Sequence, residues 1–281
     1  MIGGLDAVRR PCVAGYYYPG EPADLARAID GLLPTVAAPQ PALAAMVPHG
    51  SLPRAGRVIA GALARIRIPE RCIIIGPSHA DTWMPWSLLA QGAYRTPLGE
   101  VPVDRALASA LMQRCPFLAP DPTEQQGEHA IEVVLPFLQR LGPPGLAIVP
   151  IVIGADCAEE FYALARAMAD CVAVARGPIL LLASTDCSQF EPLARTAELD
   201  RAILDAARHL NVHALLRRIR DEGIAMCGYG AAVCVLEAAR LLGAGAAEVT
   251  GYATSAEANG DPCAVTGYAG LIVPDRGARH G

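Results

Sequence analysis

Short apolar runs alternate with amphipathic stretches along most of the chain. The apolar runs predict buried strands at residues 42–47, 72–75, 86–90, 146–153, 178–184, 248–255 and 265–273. The amphipathic stretches predict helices at about 22–33, 56–66, 103–113, 128–141, 157–175, 193–209, 211–221 and 228–242. Strands that alternate with helices are typical of an α/β protein with a mostly parallel sheet covered on both faces.

The last two apolar runs break this alternation. They are separated by the turn-forming segment GDPC, residues 260–263, rather than by a helix. We therefore expect an antiparallel hairpin at one edge of a mixed sheet. The Pro-rich segments 34–41 and 116–127 are interpreted as surface loops. The sequence thus predicts a single α/β domain over residues 1–281, with a frayed tail from about residue 275.

Composition and charge exclude some classes of protein. The chain has 281 residues, of which 53% are hydrophobic and 18% charged, and its net charge is −5. An acidic chain without a basic cluster is not expected to bind nucleic acid. The first fifteen residues lack the apolar core of a signal peptide, and the apolar runs are too short to cross a membrane. We therefore expect a cytoplasmic protein without a membrane partner, in which most of the nine cysteines are buried thiols.

Polar side chains follow three of the strongest predicted strands. His49 comes after run 42–47, His79 follows the segment CIIIGPS, and Asp186 comes after run 178–184. Ligands of open α/β sheets bind beyond the carboxyl ends of the strands. Because parallel strands end at the same edge, we expect these three side chains to converge there.

Two imidazoles at adjacent strand ends are a common start for a metal site. Asp186 as third ligand would give two histidines and one carboxylate. Cys227 would give two histidines and a thiolate, which the start of the helix predicted at 228 would favour. The residues alone leave both alternatives open, and a purely structural role for the two histidines is equally compatible with the pattern.

The segment GEHAIEVVLPFLQRL, residues 127–141, begins with Glu128, His129 and Glu132. The first interpretation is that acids in the first helical turn complement the helix dipole. The second is that His129 and Glu132 face the same pocket as His79. The residues alone favour the first.

A hydrolase with Ser78 or Cys227 as nucleophile is a further hypothesis. The segment GPSHAD around Ser78 does not follow the G-x-S-x-G pattern of a nucleophile elbow. His209 and His213, which flank a predicted helix boundary, are expected to be solvated or capping residues.

Eight short motifs occur in order along almost the whole chain. They are RPCVAGYYYP at 10–19, VPH at 47–49, GPSH at 76–79, RTPLG at 95–99 with Asp104, EHAIEV at 128–133 with LPF at 135–137, VPIVIG at 149–154, STD at 184–186 and CG at 227–228. Together they resemble the Memo family, which in bacteria also carries the name AmmeMemoRadiSam system protein B.

This resemblance implies an α/β/α sandwich similar to the class III extradiol dioxygenases. It also implies a mononuclear iron or copper site, compatible with zinc, whose ligands here would be His49, His79 and Cys227. Asp186 and His129 would then be the catalytic residues of the surrounding pocket, near Glu132. The expected function is metal binding with a redox, dioxygenase-like role.

The alternative function is a non-catalytic module that binds a small molecule, a peptide or a protein in the same cleft. The family name implies AMMECR-type and radical-SAM proteins as partners.

The chain departs from the family pattern at two places in the expected pocket. The family's PHAGY-x-Y segment reads His49-Gly50-Ser51-Leu52-Pro53-Arg54 here, so both of its tyrosines are missing. Gln189 stands where the family's SSDFCHWG segment has a histidine. Glutamine cannot transfer a proton near neutral pH, so the acid/base step of the dioxygenases has no partner at this position.

Overall fold

The computed structural model describes residues 8–80 and 84–277. Its strands are β1 (Val8–Arg9), β2 (Ala42–Val47), β3 (Arg71–Pro77), β4 (Trp86–Leu88), β5 (Ala93–Thr96), β6 (Gly99–Pro102), β7 (Ala119–Pro120), β8 (Ala147–Ile153), β9 (Leu180–Ser184), β10 (Glu248–Thr254) and β11 (Gly267–Pro274). Eight of them form one sheet in the order β10-β11-β2-β9-β3-β8-β4-β7. The other three, β1, β5 and β6, form a small separate sheet that the sequence pattern did not predict.

The large sheet is mixed, with a parallel centre. The neighbours β2 and β9, β9 and β3, and β3 and β8 are parallel pairs, whereas β4 runs antiparallel to β8. At one edge β10 and β11 form the expected antiparallel hairpin. Its connection differs from the prediction, because the helix Ser255–Asn259 (α9) lies within it.

The remaining helices pack in two groups. They are α1 (Pro22–Asp30), α2 (Leu52–Leu63), α3 (Arg105–Arg114), α4 (Leu135–Leu141), α5 (Ala158–Val174), α6 (Leu193–Arg208), α7 (Val212–Glu222) and α8 (Tyr229–Leu241). Helices α1 and α2 both contact α4, while α8 contacts α5 and α7, and α3 contacts α5. This arrangement agrees with the expected α/β/α sandwich around a mostly parallel, mixed central sheet. Residues 278–281 of the tail, with His280, lie outside the described residues.

The central strands are buried because helices cover the sheet. The side chains from Cys72 to Ile75 in β3 and from Leu180 to Ala183 in β9 are fully buried. Strands covered on both faces read as continuous apolar runs, and this explains the hydrophobic composition. Five of the nine cysteines are buried, and all nine are free thiols. None of the helices in the described part of the chain has both the length and the apolar character needed to cross a bilayer.

The helix expected from residue 128 begins only at Leu135, after a series of turns over residues 130–134. Glu128 and Glu132 therefore do not lie in a first helical turn, and the interpretation that they complement a helix dipole is wrong. Glu128 accepts a hydrogen bond from the Ala130 backbone N–H at 2.7 Å, which holds the chain in the turn conformation. Pro136 occupies an early position of α4, where its missing N–H costs no helical hydrogen bond.

A buried ion pair joins the amino-terminal segment to these turns. Arg9 and Glu132 form a salt bridge with both side chains fully buried. The Arg9 guanidinium also donates to the Gln125 carbonyl at 2.9 Å. Glu132 accepts hydrogen bonds from the backbone N–H groups of Cys12 at 2.8 Å and Val13 at 3.0 Å. Burial raises the pKa of Glu132, but the charge of Arg9 and these hydrogen bonds outweigh it and hold the pKa below its usual value.

We predict that Glu132→Ala strongly destabilises the fold, because it leaves the buried charge of Arg9 without the carboxylate that neutralises it. The expected loss in the free energy of unfolding is about 3–5 kcal/mol, measured by urea denaturation at pH 7. The matched control is Glu100→Ala, which breaks the exposed ion pair between Glu100 and Arg95. Exposed pairs contribute about 1 kcal/mol or less, so equal losses in the two variants would contradict this prediction.

The ion pair between Arg9 and Glu132 also predicts that the unfolding free energy depends on pH. The pKa of Glu132 is lowered in the folded state, so its ionisation stabilises the fold above its unfolded pKa of about 4.3. This stabilisation is lost as the pH falls further. The difference in unfolding free energy between wild type and Glu132→Gln is therefore expected to narrow on acidification below that pH. If the difference in unfolding free energy between the two proteins stays constant from neutral to acidic pH, the predicted contribution of the Glu132 charge is wrong.

Candidate functional site

Three polar side chains meet beyond the carboxyl ends of the parallel strands. His49, Asp186 and His79 each lie two residues after the end of their strand, β2, β9 and β3 respectively. Strand β9 lies between β2 and β3. The two strands that precede the histidines are therefore not neighbours in the sheet, contrary to the expectation. The expected convergence is confirmed, with Asp186 between the two histidines along the sheet order.

Hydrogen bonds fix the tautomer of His49. Its ring Nδ1 lies 3.0 Å from the Ser184 Oγ, and that hydroxyl donates its single proton to the Ala130 carbonyl at 2.7 Å. The serine oxygen must therefore accept from Nδ1–H, which leaves a lone pair on Nε2. His49 is only 1% exposed, and burial lowers its pKa to about 3. The ring is therefore neutral at physiological pH.

Cys227 lies against the lone pair of His49. Its Sγ is 3.5 Å from the His49 Nε2, and the residue lies two positions before Tyr229, the first residue of α8. Burial raises the pKa of the Cys227 thiol to about 12, which outweighs the expected effect of the helix start. Without a metal ion the side chain is therefore a neutral thiol, and metal ligation would require loss of its proton.

The position of Cys227 depends on the glycine that follows it. The Gly228 N–H donates to the Thr185 Oγ1 at 3.0 Å. A Cβ atom at Gly228 would lie 2.5 Å from the Thr185 Cβ and 2.7 Å from the Ser184 carbonyl oxygen. Only glycine allows this close approach between the start of α8 and the end of β9.

Glu128 orients His79. The carboxylate accepts from the His79 backbone N–H at 2.7 Å and lies 2.9 Å from the ring Nδ1. Burial lowers the pKa of His79, but the hydrogen bond and charge of Glu128 outweigh it and raise the pKa. Nδ1 is the hydrogen-bond donor, so Nε2 is the nitrogen that can ligate a metal. Sequence reasoning had not assigned this role to Glu128.

His129 lies in the same pocket, as the second interpretation of its segment expected. Its ring stacks on His79 with centroids 4.5 Å apart, and its centroid is 5.5 Å from that of His49. Burial lowers the pKa of His129 to about 4, so the ring is neutral at physiological pH. Glu132 lies elsewhere, in the ion pair with Arg9, so the expectation that it faces the pocket is wrong.

Asp186 supports the site from the end of β9. It is 6% exposed, and its Oδ1 accepts a hydrogen bond from the His49 backbone N–H at 2.9 Å. Burial raises the pKa of Asp186 to about 6, against the opposing effect of this hydrogen bond.

The ligand-capable atoms form two groups that share His49. Those of His49, His79 and His129 lie within 4.8 Å of one another, as do those of His49, Asp186 and Cys227. The trio His49, His79 and Cys227, implied by resemblance, is divided between the two groups. The assignment of these three as ligands stays a prediction.

His49, His79, His129 and Asp186 line one side of a cleft of about 580 Å³, whereas Cys227 lies behind His49 and is not one of its lining residues. Phenol groups reach the cleft although the tyrosines expected after His49 are missing, because Tyr17 and Tyr268 line it from other segments. A Cβ atom at Gly50 would lie 2.8 Å from the Tyr268 Cε1, so glycine at this position makes room for the Tyr268 ring. The sequence signal for this packing is Gly50, which stands where the PHAGY segment of the family has an alanine.

We predict that Gly228→Ala forces the start of α8 away from β9. The backbone displacement is expected to cost about 1–3 kcal/mol of unfolding free energy, measured by urea denaturation. The control is Gly245→Ala, because a Cβ atom there meets no atom within 4 Å. A Gly228→Ala protein as stable as the control would contradict the close approach that positions Cys227.

Comparisons with known proteins agree with the motifs. A family model described as Memo-like protein matches residues 9–272. A MEMO1 family protein of Methanosarcina barkeri is 32% identical over 267 residues, covering 95% of this chain and 100% of its own. A MEMO1 family protein of Aquifex aeolicus is 31% identical over 268 residues, covering 94% and 98%. One of Methanopyrus kandleri is 30% identical over 277 residues, covering 94% and 98%.

Proposed function

The chain belongs to the Memo-like protein family, and on this premise we propose that its cleft is a mononuclear metal site for iron or copper. The observation that carries the proposal is the His49 tautomer. Its Nε2 lone pair faces the Cys227 Sγ at 3.5 Å, and ligand-capable atoms of two further histidines lie within 4.8 Å. A neutral buried imidazole beside a thiol is a donor set that first-row metals bind.

The proposed ligands are His49, His79 and Cys227. Imidazole nitrogen and thiolate sulfur are soft or borderline donors, which suit iron(II), copper(I) and zinc rather than magnesium or calcium. Both histidines have a hydrogen-bond partner at Nδ1, Ser184 for His49 and Glu128 for His79. Such partners fix the ring orientation of metal-binding histidines.

The proposed role is redox chemistry of the dioxygenase type. When bound, iron or copper would supply the electron transfer that the side chains cannot perform. His129 lies in the cleft next to His79, where its neutral ring can accept a proton from a bound molecule. Asp186 lines the same cleft and holds the His49 backbone. These two residues are therefore the proposed catalytic groups, whereas Gln189 in the cleft can only form hydrogen bonds.

We predict that Cys227→Ser lowers the affinity for iron(II) and copper(I) by at least about tenfold, because a serine oxygen is a poor substitute for thiolate. Metal content after anaerobic loading is measured by elemental analysis of protein without a histidine tag. The control is His213→Ala, because His213 contacts Tyr162 at 2.9 Å and belongs to neither group of ligand-capable residues. Equal metal content in both variants would refute the ligand assignment.

The second candidate is a non-catalytic module that binds a peptide or protein in the cleft. It is favoured by Gln189 and by an apolar groove that shares Tyr16, Tyr17 and Pro53 with the cleft. Oxygen uptake by the iron-loaded wild type, absent in Cys227→Ser, supports the redox role. Metal-loaded protein that consumes no oxygen favours the module, and AMMECR-type and radical-SAM proteins are then the partners to test.

A further inference from the structure

One cation in the cleft takes no part in the proposed metal site. Arg54 lies in the first turn of α2, is exposed to solvent and lines the cleft. It is the only arginine among the described lining residues, and no ion pair of Arg54 occurs within the described part of the chain. Its guanidinium lies near the Tyr268 hydroxyl, which is a neutral partner.

The carboxylates near the cleft are engaged elsewhere. Asp186 accepts from the His49 backbone, and Glu128 binds the backbone and ring of His79. The Arg54 guanidinium can therefore pair with an anion that enters the cleft. Its planar array of N–H donors matches a carboxylate, with which it forms two parallel hydrogen bonds.

Two large aromatic side chains are exposed along the same cleft. Phe190 is 76% exposed and Tyr16 is 88% exposed, and both line it. Phe190 also has a φ of +63°, a conformation that costs a non-glycine residue about 1–2 kcal/mol. An exposed ring on strained backbone is unfavourable for the free protein, and such features occur where a ligand binds.

Hydrogen bonds on both sides of Phe190 hold it in this position. The Ser188 N–H donates to the Asp200 Oδ1 at 2.8 Å, and the Gly267 N–H donates to the Ser188 carbonyl at 2.9 Å. On the other side the Val265 N–H donates to the Glu191 carbonyl at 2.8 Å. The loop is therefore attached to the first residue of β11 and to the segment just before it, and the ring stays at the cleft.

We propose that the cleft selects a small amphipathic carboxylate. The carboxylate of this ligand pairs with Arg54, and its apolar part covers Phe190 and Tyr16. The cleft volume of about 580 Å³ is in the range of small-molecule sites. The inference rests on the proposed function in so far as two of the proposed metal ligands, His49 and His79, line the same cleft.

The test compares three probes by isothermal titration calorimetry. They are 3-phenylpropionate, the neutral 3-phenylpropan-1-ol, and propionate, which lacks the ring. Wild type is expected to bind 3-phenylpropionate more tightly than either of the others. Arg54→Ala is expected to weaken the binding of 3-phenylpropionate by about tenfold or more. It is also expected to abolish the preference for 3-phenylpropionate over the alcohol. Arg54→Lys is expected to restore part of that preference, because it keeps the charge without the planar fork.

Two further variants complete the design. Phe190→Asn removes the ring, and asparagine tolerates a positive φ, so the loop is expected to fold. This variant is expected to bind both probes that carry a phenyl ring about threefold to tenfold more weakly than wild type does. Arg57→Ala is the matched control, because Arg57 is an exposed arginine of the same helix that does not line the cleft. It is expected to leave the affinity for all probes unchanged.

Several results would overturn the proposal. They are equal wild-type affinity for 3-phenylpropionate and its alcohol, no binding of either, and equal effects of Arg54→Ala and Arg57→Ala on 3-phenylpropionate binding. A fourth probe, phenyl phosphate, tests the anion class, and its tighter binding to wild type than that of 3-phenylpropionate would also overturn the proposal. Metal content measured on the same samples separates this proposal from the metal site. Protein that keeps its metal without charge discrimination refutes the carboxylate proposal alone. Protein that discriminates the probes but binds no metal refutes the metal site alone.

Discussion

The parallel pairing of β2, β9 and β3 is the constraint on which the site depends. The register places Val47 opposite Ser184 and Ile75 opposite Ala183, so the three strands end at almost the same level. His49, Asp186 and His79 then emerge at one edge, where the His49 backbone N–H donates to Asp186 at 2.9 Å and the ring centroids of His49 and His79 lie 5.1 Å apart. A register shift of one residue would turn each of these side chains to the other face of the sheet. The buried apolar residues of the three strands prevent such a shift, so the core fixes the site.

The irregular segment 128–134 is a second support, and its two acids, Glu128 and Glu132, have separate roles. Glu128 holds the ring of His79, and Glu132 holds Arg9 and the amino-terminal segment. The Ala130 carbonyl between them accepts the proton of Ser184 and so determines the tautomer of His49. A regular helix from residue 128 would use the Ala130 carbonyl within the helix. The irregular backbone therefore makes the Ala130 carbonyl and the Glu128 carboxylate available to the site, while Glu132 anchors the amino-terminal segment.

The sequence predicted the parts of the structure that depend on local patterns. The apolar runs that became β2, β3 and β9 were recognised because strands buried on both faces read as continuous hydrophobic segments. The small sheet of β1, β5 and β6 was missed, because short, partly exposed strands have no such signature. His79 and Cys227 fall into different groups of ligand-capable atoms, both of which include His49. The spacing of these residues along the sequence does not predict this division, because it depends on how distant segments pack against each other.

The cleft shows why departures from the family pattern do not affect all parts of the site equally. The ligand-capable side chains lie at strand ends and beside turns that the buried core fixes. The lining residues that differ, Arg54 and Gln189, lie in a first helical turn and a loop. Gly50 is an example, because its missing Cβ leaves the space in the cleft that the Tyr268 ring occupies. The chemistry of the lining can therefore change while the ligand-capable atoms stay in place.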